Sequence, residues 1–262
     1  MPYITVNGLR MHYRALGAGP AVVLIHGLGS CGEDWSLLQA PALSQRYRVL
    51  MPDLRGHGRS DKPPGPYTIP QMAEDIAGFL PAVGADAAHV VGFSLGGVVA
   101  QALAAHHPER VRSLILVNTF ACLRPKGWEE WQRTLTRLGA LLVSLTLQAR
   151  LEARELFPRP DQTSLRCIAY HRLCANDPAA YRAAMMAAAR YDGRQDLRRI
   201  RAPTLVVAGL EDTVVPLRAK EELAAGIPGA RLITIPRSGH ATPTDQPVAF
   251  NRILLDFLRQ QP

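Results

Sequence analysis

His89–Gly97 reads HVVGFSLGG, and the alanine-rich LGGVVAQALAAH (Leu95–His106) overlaps its end. The first half has the composition of a strand buried on both faces, and the second that of a helix. Gly92–Gly96 therefore fits G-x-S-x-G at a strand-to-helix junction. A serine on so tight a turn takes a strained backbone conformation. Side chains two residues before and after it would collide, which favours glycine at both places. The turn lifts the hydroxyl above the sheet. The N-terminus of the following helix offers amide N–H groups and a positive dipole end to a developing oxyanion. Ser94 is the candidate nucleophile.

Outward from this junction the chain alternates short β-branched runs with longer helical stretches. YITV (Tyr3–Val6) and LRMHYRA (Leu9–Ala15) flank Asn7-Gly8, a strong two-residue hairpin signal. AVVLI (Ala21–Ile25), YRVLM (Tyr47–Met51), HVVGF (His89–Phe93), VRSLILV (Val111–Val117), TLVVA (Thr204–Ala208) and RLITI (Arg231–Ile235) read as further strands. Helical patterns cover Ile69–Val83, Leu95–His106, Leu217–Ala225 and Pro247–Leu258. Strands alternating with helices predict an α/β fold with a mostly parallel sheet. Residues 121–199 break the rhythm: they carry only amphipathic helical text, interrupted at Pro158, Pro160 and Pro178. They read as a helical insertion in a core made of residues 1–120 and 200–262.

A serine needs a base. Among the eight histidines, His240 lies in RSGHATPTDQP, between the last strand and the last helix. That loop belongs to the same carboxyl edge of a parallel sheet as Ser94. The base in turn needs an orienting acid. VVAGLEDTVVP ends the strand Thr204–Ala208 with two acids, of which Asp212 is favoured and Glu211 is the alternative. The order Ser, Asp, His follows. In LIHGLGS, after Ala21–Ile25, Gly27 and Gly29 let the backbone turn inward, so the amides of Leu28 and Leu95 are the expected oxyanion donors. Neither GxGxxG nor a P-loop is present.

Composition narrows the classes further. No segment reaches the roughly 18 apolar residues of a membrane span, and MPYITVNGLRMHYRALG lacks the basic start and apolar block of a signal peptide. A cytoplasmic protein is expected. Cys31, Cys122, Cys167 and Cys174 form no CxxC pair and have no partner at zinc-finger spacing, so they read as packing residues and no metal is expected. The net charge is +8, but the arginines are scattered without interleaved aromatics, which argues against nucleic acid. Residues 121–200 hold 14 Lys or Arg against 8 Asp or Glu, most of the net charge. Arg124, Lys126, Arg133 and Arg137 at the start of the insertion are candidates to meet an anionic substrate or an acidic carrier. Trp128, Trp131, Phe157 and Tyr170 are candidates to line an acyl pocket.

HGLGS, DLRGHGRSDKP, GFSLGG, PTLVVAGLEDTVVP, SGH and FNRILLDFLR together resemble the α/β-hydrolase superfamily over nearly the whole length. The resemblance implies an eight-stranded, mostly parallel sheet flanked by helices, with the insertion as a cap over the active site. It implies the roles given above to Ser94, His240, Asp212, Leu28 and Leu95, and no cofactor. Some relatives carry the acid after the sixth strand, where this chain has Asn118. Relatives with an aspartate nucleophile are set aside by Ser94. The text is similar to 3-oxoadipate enol-lactonases, carrier-protein methyl esterases and small carboxylesterases. That similarity implies hydrolysis of a small-molecule ester, thioester or lactone through an acyl-enzyme. The alternatives are a hydrolase of carbon–carbon bonds in ring-cleavage products, many of which have an aromatic residue where this chain has Ala241, and a non-catalytic ligand-binding member.

Overall fold

The computed structural model describes residues 2–124 and 144–261, together with residues 127, 128, 131, 132, 135, 136 and 139. Asn7 and Gly8 take positive φ (51° and 74°), which reverses the chain between β1 (Tyr3–Val6) and β2 (Leu9–Leu16). The other strands are β3 (Ala21–Ile25), β4 (Arg48–Pro52), β5 (Ala88–Phe93), β6 (Val111–Val117), β7 (Thr204–Gly209) and β8 (Arg231–Ile235). They form one eight-stranded sheet in the order β1-β2-β4-β3-β5-β6-β7-β8. β1 and β2 are antiparallel to their neighbours, and every other pair is parallel. Each strand agrees with its sequence expectation to within one residue at either end.

Side chains alternate along each strand between two cores. Val23 and Ile25 of β3, Val90 of β5 and Leu114 and Leu116 of β6 face one layer. That layer holds Met72, Ile76 and Phe79 of α2 (Ile69–Ala82) and Val98, Val99 and Leu103 of α3 (Leu95–His106). Val22, Leu24, Val91, Ile115 and Val117 face the other layer. There they meet Leu43 of the short α1 (Ala40–Leu43) and Phe250, Leu254 and Phe257 of α9 (Pro247–Leu258). Burial on both faces is why the strands read as unbroken apolar runs.

Between β6 and β7 lie α4 (Leu145–Leu156), α5 (Thr163–Cys174) and α6 (Pro178–Arg190). The prolines of this stretch mark boundaries. Pro178 opens α6, where its missing N–H would have had no helical partner, and Asp177 caps the same end through the amides of Ala179 and Ala180. The helices share a small core of Ala149, Ala153, Leu173 and Tyr181. An antiparallel bridge, Cys122 to Asp192, closes the base of the insertion. α7 (Leu217–Gly226) and the short α8 (Thr242–Asp245) complete the fold.

From β4 the chain crosses over β3 to β5, so the connections after β3 and β5 leave the same edge in adjacent strands. A crevice at such a switch point is where parallel α/β sheets place ligands. Among the described residues, no helix is long and apolar enough to cross a membrane.

Candidate active site

Ser94 sits between β5 and α3 with φ 51° and ψ −117°. A β-carbon on Gly92 would lie 2.4 Å from the Gly96 carbonyl oxygen. One on Gly96 would lie 2.3 Å from the Ile25 carbonyl oxygen and 2.5 Å from that of His26. Both obstacles are backbone, so both positions need glycine. The turn is held by the Ser94 amide donating to Val117 (3.0 Å) and by the Thr119 hydroxyl donating to the Ser94 carbonyl (2.8 Å). A backbone conformation of this kind costs on the order of 1–3 kcal/mol and persists only where surrounding contacts impose it.

His240 lies in the loop after β8 and is 3% exposed. Its Nε2 is 3.0 Å from Ser94 Oγ, and its Nδ1 is 2.9 Å from Asp212 Oδ2. The structure thus joins the three residues in one line of hydrogen bonds. Glu211, the alternative acid, is half-exposed and stands 3.6 Å from Arg159 instead. Asp212 Oδ1 accepts the amides of Val214 (2.8 Å) and Val215 (3.0 Å), so the carboxylate plane is fixed from its far side. Burial pushes the Asp212 carboxyl upward. His240 and then Lys220 outweigh it and bring it down to about 2.

The loop after β3 runs beside the serine: a β-carbon on Gly27 would lie 3.5 Å from Ser94 Cβ. His26 shapes this loop. Its Nδ1 bonds the Gly27 carbonyl (2.8 Å) and its Nε2 accepts the Leu54 amide (3.0 Å). Burial holds the imidazole below its ordinary range. Leu28 follows on this loop and Leu95 is the first residue of α3. Among the described residues, neither amide donates to a backbone acceptor.

Two residues escaped the sequence reading. Asn118, at the end of β6, is fully buried with φ 43°. Its Nδ2 lies within hydrogen-bond distance of the carbonyls of Gly239 and His240 and of Thr242 Oγ1, while its Oδ1 accepts the Gly209 amide. It ties the ends of β6 and β7 to the histidine loop. Lys220, on α7, is fully buried, with Nζ 2.7 Å from Asp212 Oδ2. A signal for Lys220 exists in the sequence: it stands three residues before Leu223 and seven before Ile227, on the apolar stripe of its helix.

The insertion is read differently in places. Arg124 is exposed and pairs with Asp192 at 3.2 Å, whereas Lys126, Arg133 and Arg137 lie outside the described residues. Trp128 and Trp131 are exposed, Phe157 is buried, and Tyr170 packs at the edge of the small core of the insertion. Cys167 is exposed and Cys31 buried, so the packing role expected of all four cysteines fails at Cys167. The insertion meets the core beside the β3 loop, where Asn176 Nδ2 donates to the Gly29 carbonyl (2.9 Å) and Arg172 pairs with Asp34 (3.0 Å).

A model of the α/β hydrolase fold family matches residues 20–247. The protein named "Putative carbamate hydrolase RutD" of Azorhizobium caulinodans is 35% identical over 98% of both chains. Among solved structures, a hydrolase from Pseudomonas aeruginosa is 34% identical with a TM-score of 0.89, over 98% of this chain and 97% of that one. The enol-lactonase from Burkholderia xenovorans is 31% identical with a TM-score of 0.87, over 99% of this chain and 100% of its own. The chain belongs to the α/β-hydrolase family. Hydrolase is the class of activity its relatives support.

Proposed function

We propose that this protein is a serine hydrolase that cleaves a carboxylic ester, thioester or lactone through an acyl-enzyme. The observation that carries the reading is the continuous line Ser94 Oγ, His240 Nε2, His240 Nδ1, Asp212 Oδ2, with both contacts at or below 3.0 Å. Ser94 Oγ attacks the carbonyl carbon as its proton passes to His240 Nε2, and Asp212 stabilises the imidazolium. The amides of Leu28 and Leu95 receive the oxyanion; a donor of this kind contributes about 3 kcal/mol to lowering the barrier. Collapse breaks the bond to the leaving oxygen or sulfur, which takes the proton from His240. Water then attacks the acyl-enzyme, again deprotonated by His240, and releases the acid and free Ser94.

The name carried by the Azorhizobium relative sets carbamates beside esters as a second reading. A carbamate carbonyl meets the same nucleophile, but its nitrogen donates electrons into the carbonyl and slows attack. A fluorophosphonate probe tests the nucleophile, since it forms a bond between Ser94 Oγ and phosphorus and expels fluoride. Labelling that persists in Ser94→Ala would overturn the reading. Steady-state kinetics on matched p-nitrophenyl esters, lactones and carbamates then ranks the substrates. Preference for the carbamate in kcat/KM selects the second reading.

A further inference from the structure

The sequence contains 27 arginines and only three lysines, Lys62, Lys126 and Lys220. One of the three is fully buried, on the acid that faces the candidate base. Asp212 Oδ2 accepts both His240 Nδ1 (2.9 Å) and Lys220 Nζ (2.7 Å), and the side chains of Asp212 and Lys220 are closed to solvent. Lys220 Nζ also lies 3.4 Å from the Gly209 carbonyl. Charged groups on the neighbouring elements include Glu211 beside Asp212, Arg159 of the insertion at 3.6 Å from Glu211, and Asp245 of α8. Asp245 is committed to Ser238 Oγ and the Gly239 amide. None of these three touches Oδ2.

We propose that Lys220 is a positioning residue of the hydrolytic site, whose ammonium shares Asp212 Oδ2 with His240 and keeps the imidazole able to accept the Ser94 proton at lower pH. The inference rests on the acyl-enzyme reading given above. With Lys220 charged, the buried group of Lys220, Asp212 and neutral His240 sums to zero. A proton added to His240 makes that buried group a net cation. Without the ammonium, the same proton would neutralise an anion instead. Low-dielectric surroundings make this difference large, because two cations sharing one oxygen repel with little screening. Burial lowers the Lys220 ammonium from its ordinary range, and Asp212 counteracts that fall. The geometry serves a second end. Lys220 Nζ and the two amides on Oδ1 leave Oδ2 a single free direction, toward Nδ1.

The test is the pH dependence of fluorophosphonate labelling in the wild type, Lys220→Met and Lys220→Gln, with thermal melts as the check on folding. The wild type is expected to lose labelling on the acid side, and both variants to lose it about one pH unit higher. A merely structural lysine would lower the plateau rate and leave the acid limb in place, and that result overturns the proposal while the nucleophile stands. Absence of labelling on wild-type Ser94 overturns the acyl-enzyme reading, and this one with it. Should both variants fail to fold, ¹⁵N-lysine NMR of the wild type decides. With three lysines, the Lys220 Nζ resonance is expected to be an ammonium at neutral pH and to shift through the acid limb of labelling. A neutral amine there, or a resonance blind to that limb, overturns the proposal.

Discussion

Asn118 Nδ2 donates to the backbone carbonyl of His240 at 2.6 Å, so the residue that follows β6 holds the loop that carries the candidate base. The same amide group reaches the Gly239 carbonyl and Thr242 Oγ1, and its oxygen accepts the Gly209 amide at 2.8 Å. Asn118→Asp keeps the shape and the acceptor but sets a carboxylate oxygen against two carbonyls. Buried polar groups left without partners cost about 1–3 kcal/mol each. The expected outcome is a stability loss of about 2–4 kcal/mol in urea denaturation and a fall in Ser94 labelling of about a hundredfold, the scale of a 1 Å misplacement. Unchanged labelling in the folded variant would show that the loop keeps His240 in place without Asn118.

Ser94 has φ 51°, where a β-carbon is strained and glycine is not. Ser94→Gly therefore removes the hydroxyl and the strain together, while Ser94→Ala removes the hydroxyl alone. Neither variant should be labelled. Ser94→Gly is expected to be more stable than Ser94→Ala by about 1–2 kcal/mol, a rise in Tm of a few degrees. Equal melting temperatures would mean that the turn stores no backbone strain.

The elements and the three joined residues were legible because each leaves a local mark. A strand buried on both faces must be apolar without alternation, as HVVGF and TLVVA are, and Gly92 is demanded by the Gly96 backbone within the same turn, while Gly96 completes that local pattern although the backbone it meets is that of Ile25 and His26. Asp212 over Glu211 was a choice between neighbours that no local mark makes, since the contact of Asp212 with His240 is tertiary. Asn118 leaves no such mark, and that of Lys220 is only its place on the apolar stripe of α7. In LRAKEELAAG a lysine reads as a solvated helix charge, and only the packing of α7 under the loop after β7 buries it. Asn118 follows a strand as a turn residue would, yet its partners lie 91 to 124 residues away. The exposure of Trp128 and Trp131 was equally illegible, because aromatic spacing on a helix does not say which face meets a core.

Gly96 tests whether the loops after β3 and β5 act together. A β-carbon there meets the backbone of Ile25 and His26, which has no flexible end to give way. Gly96→Ala should push the N-terminus of α3 away from the loop that carries Leu28. The expected result is a stability loss of about 1–3 kcal/mol, typical of overpacking, and a labelling rate at least tenfold lower. Gly8→Ala is the control. Its β-carbon would meet nothing within 4 Å, but φ is 74°. It should cost about 1 kcal/mol through the backbone alone and leave labelling unchanged. Equal labelling in both variants would separate Gly96 from the candidate oxyanion site.

Asp212 sets the last expectation, the acid limb of stability. Its carboxyl is held at about 2 in the folded protein, against an ordinary value of 3.8. A depressed folded value contributes stability that is fully present above about pH 4 and is lost as the pH falls toward 2. The difference corresponds to about 2 kcal/mol for a side chain closed to solvent. Asp75 and Asp245 are both raised, chiefly by burial, and act in the opposite sense. They are common to wild type and variant and drop out of the comparison. Asp212→Asn alone would strand the Lys220 ammonium in the interior, so the variant to use is Asp212→Asn with Lys220→Met. Urea midpoints at pH 4, 3 and 2 should converge, with the wild type losing about 2 kcal/mol more than the double variant across that window. Parallel curves would mean that Asp212 carries the same proton affinity folded and unfolded, and that its four hydrogen bonds do not favour the carboxylate.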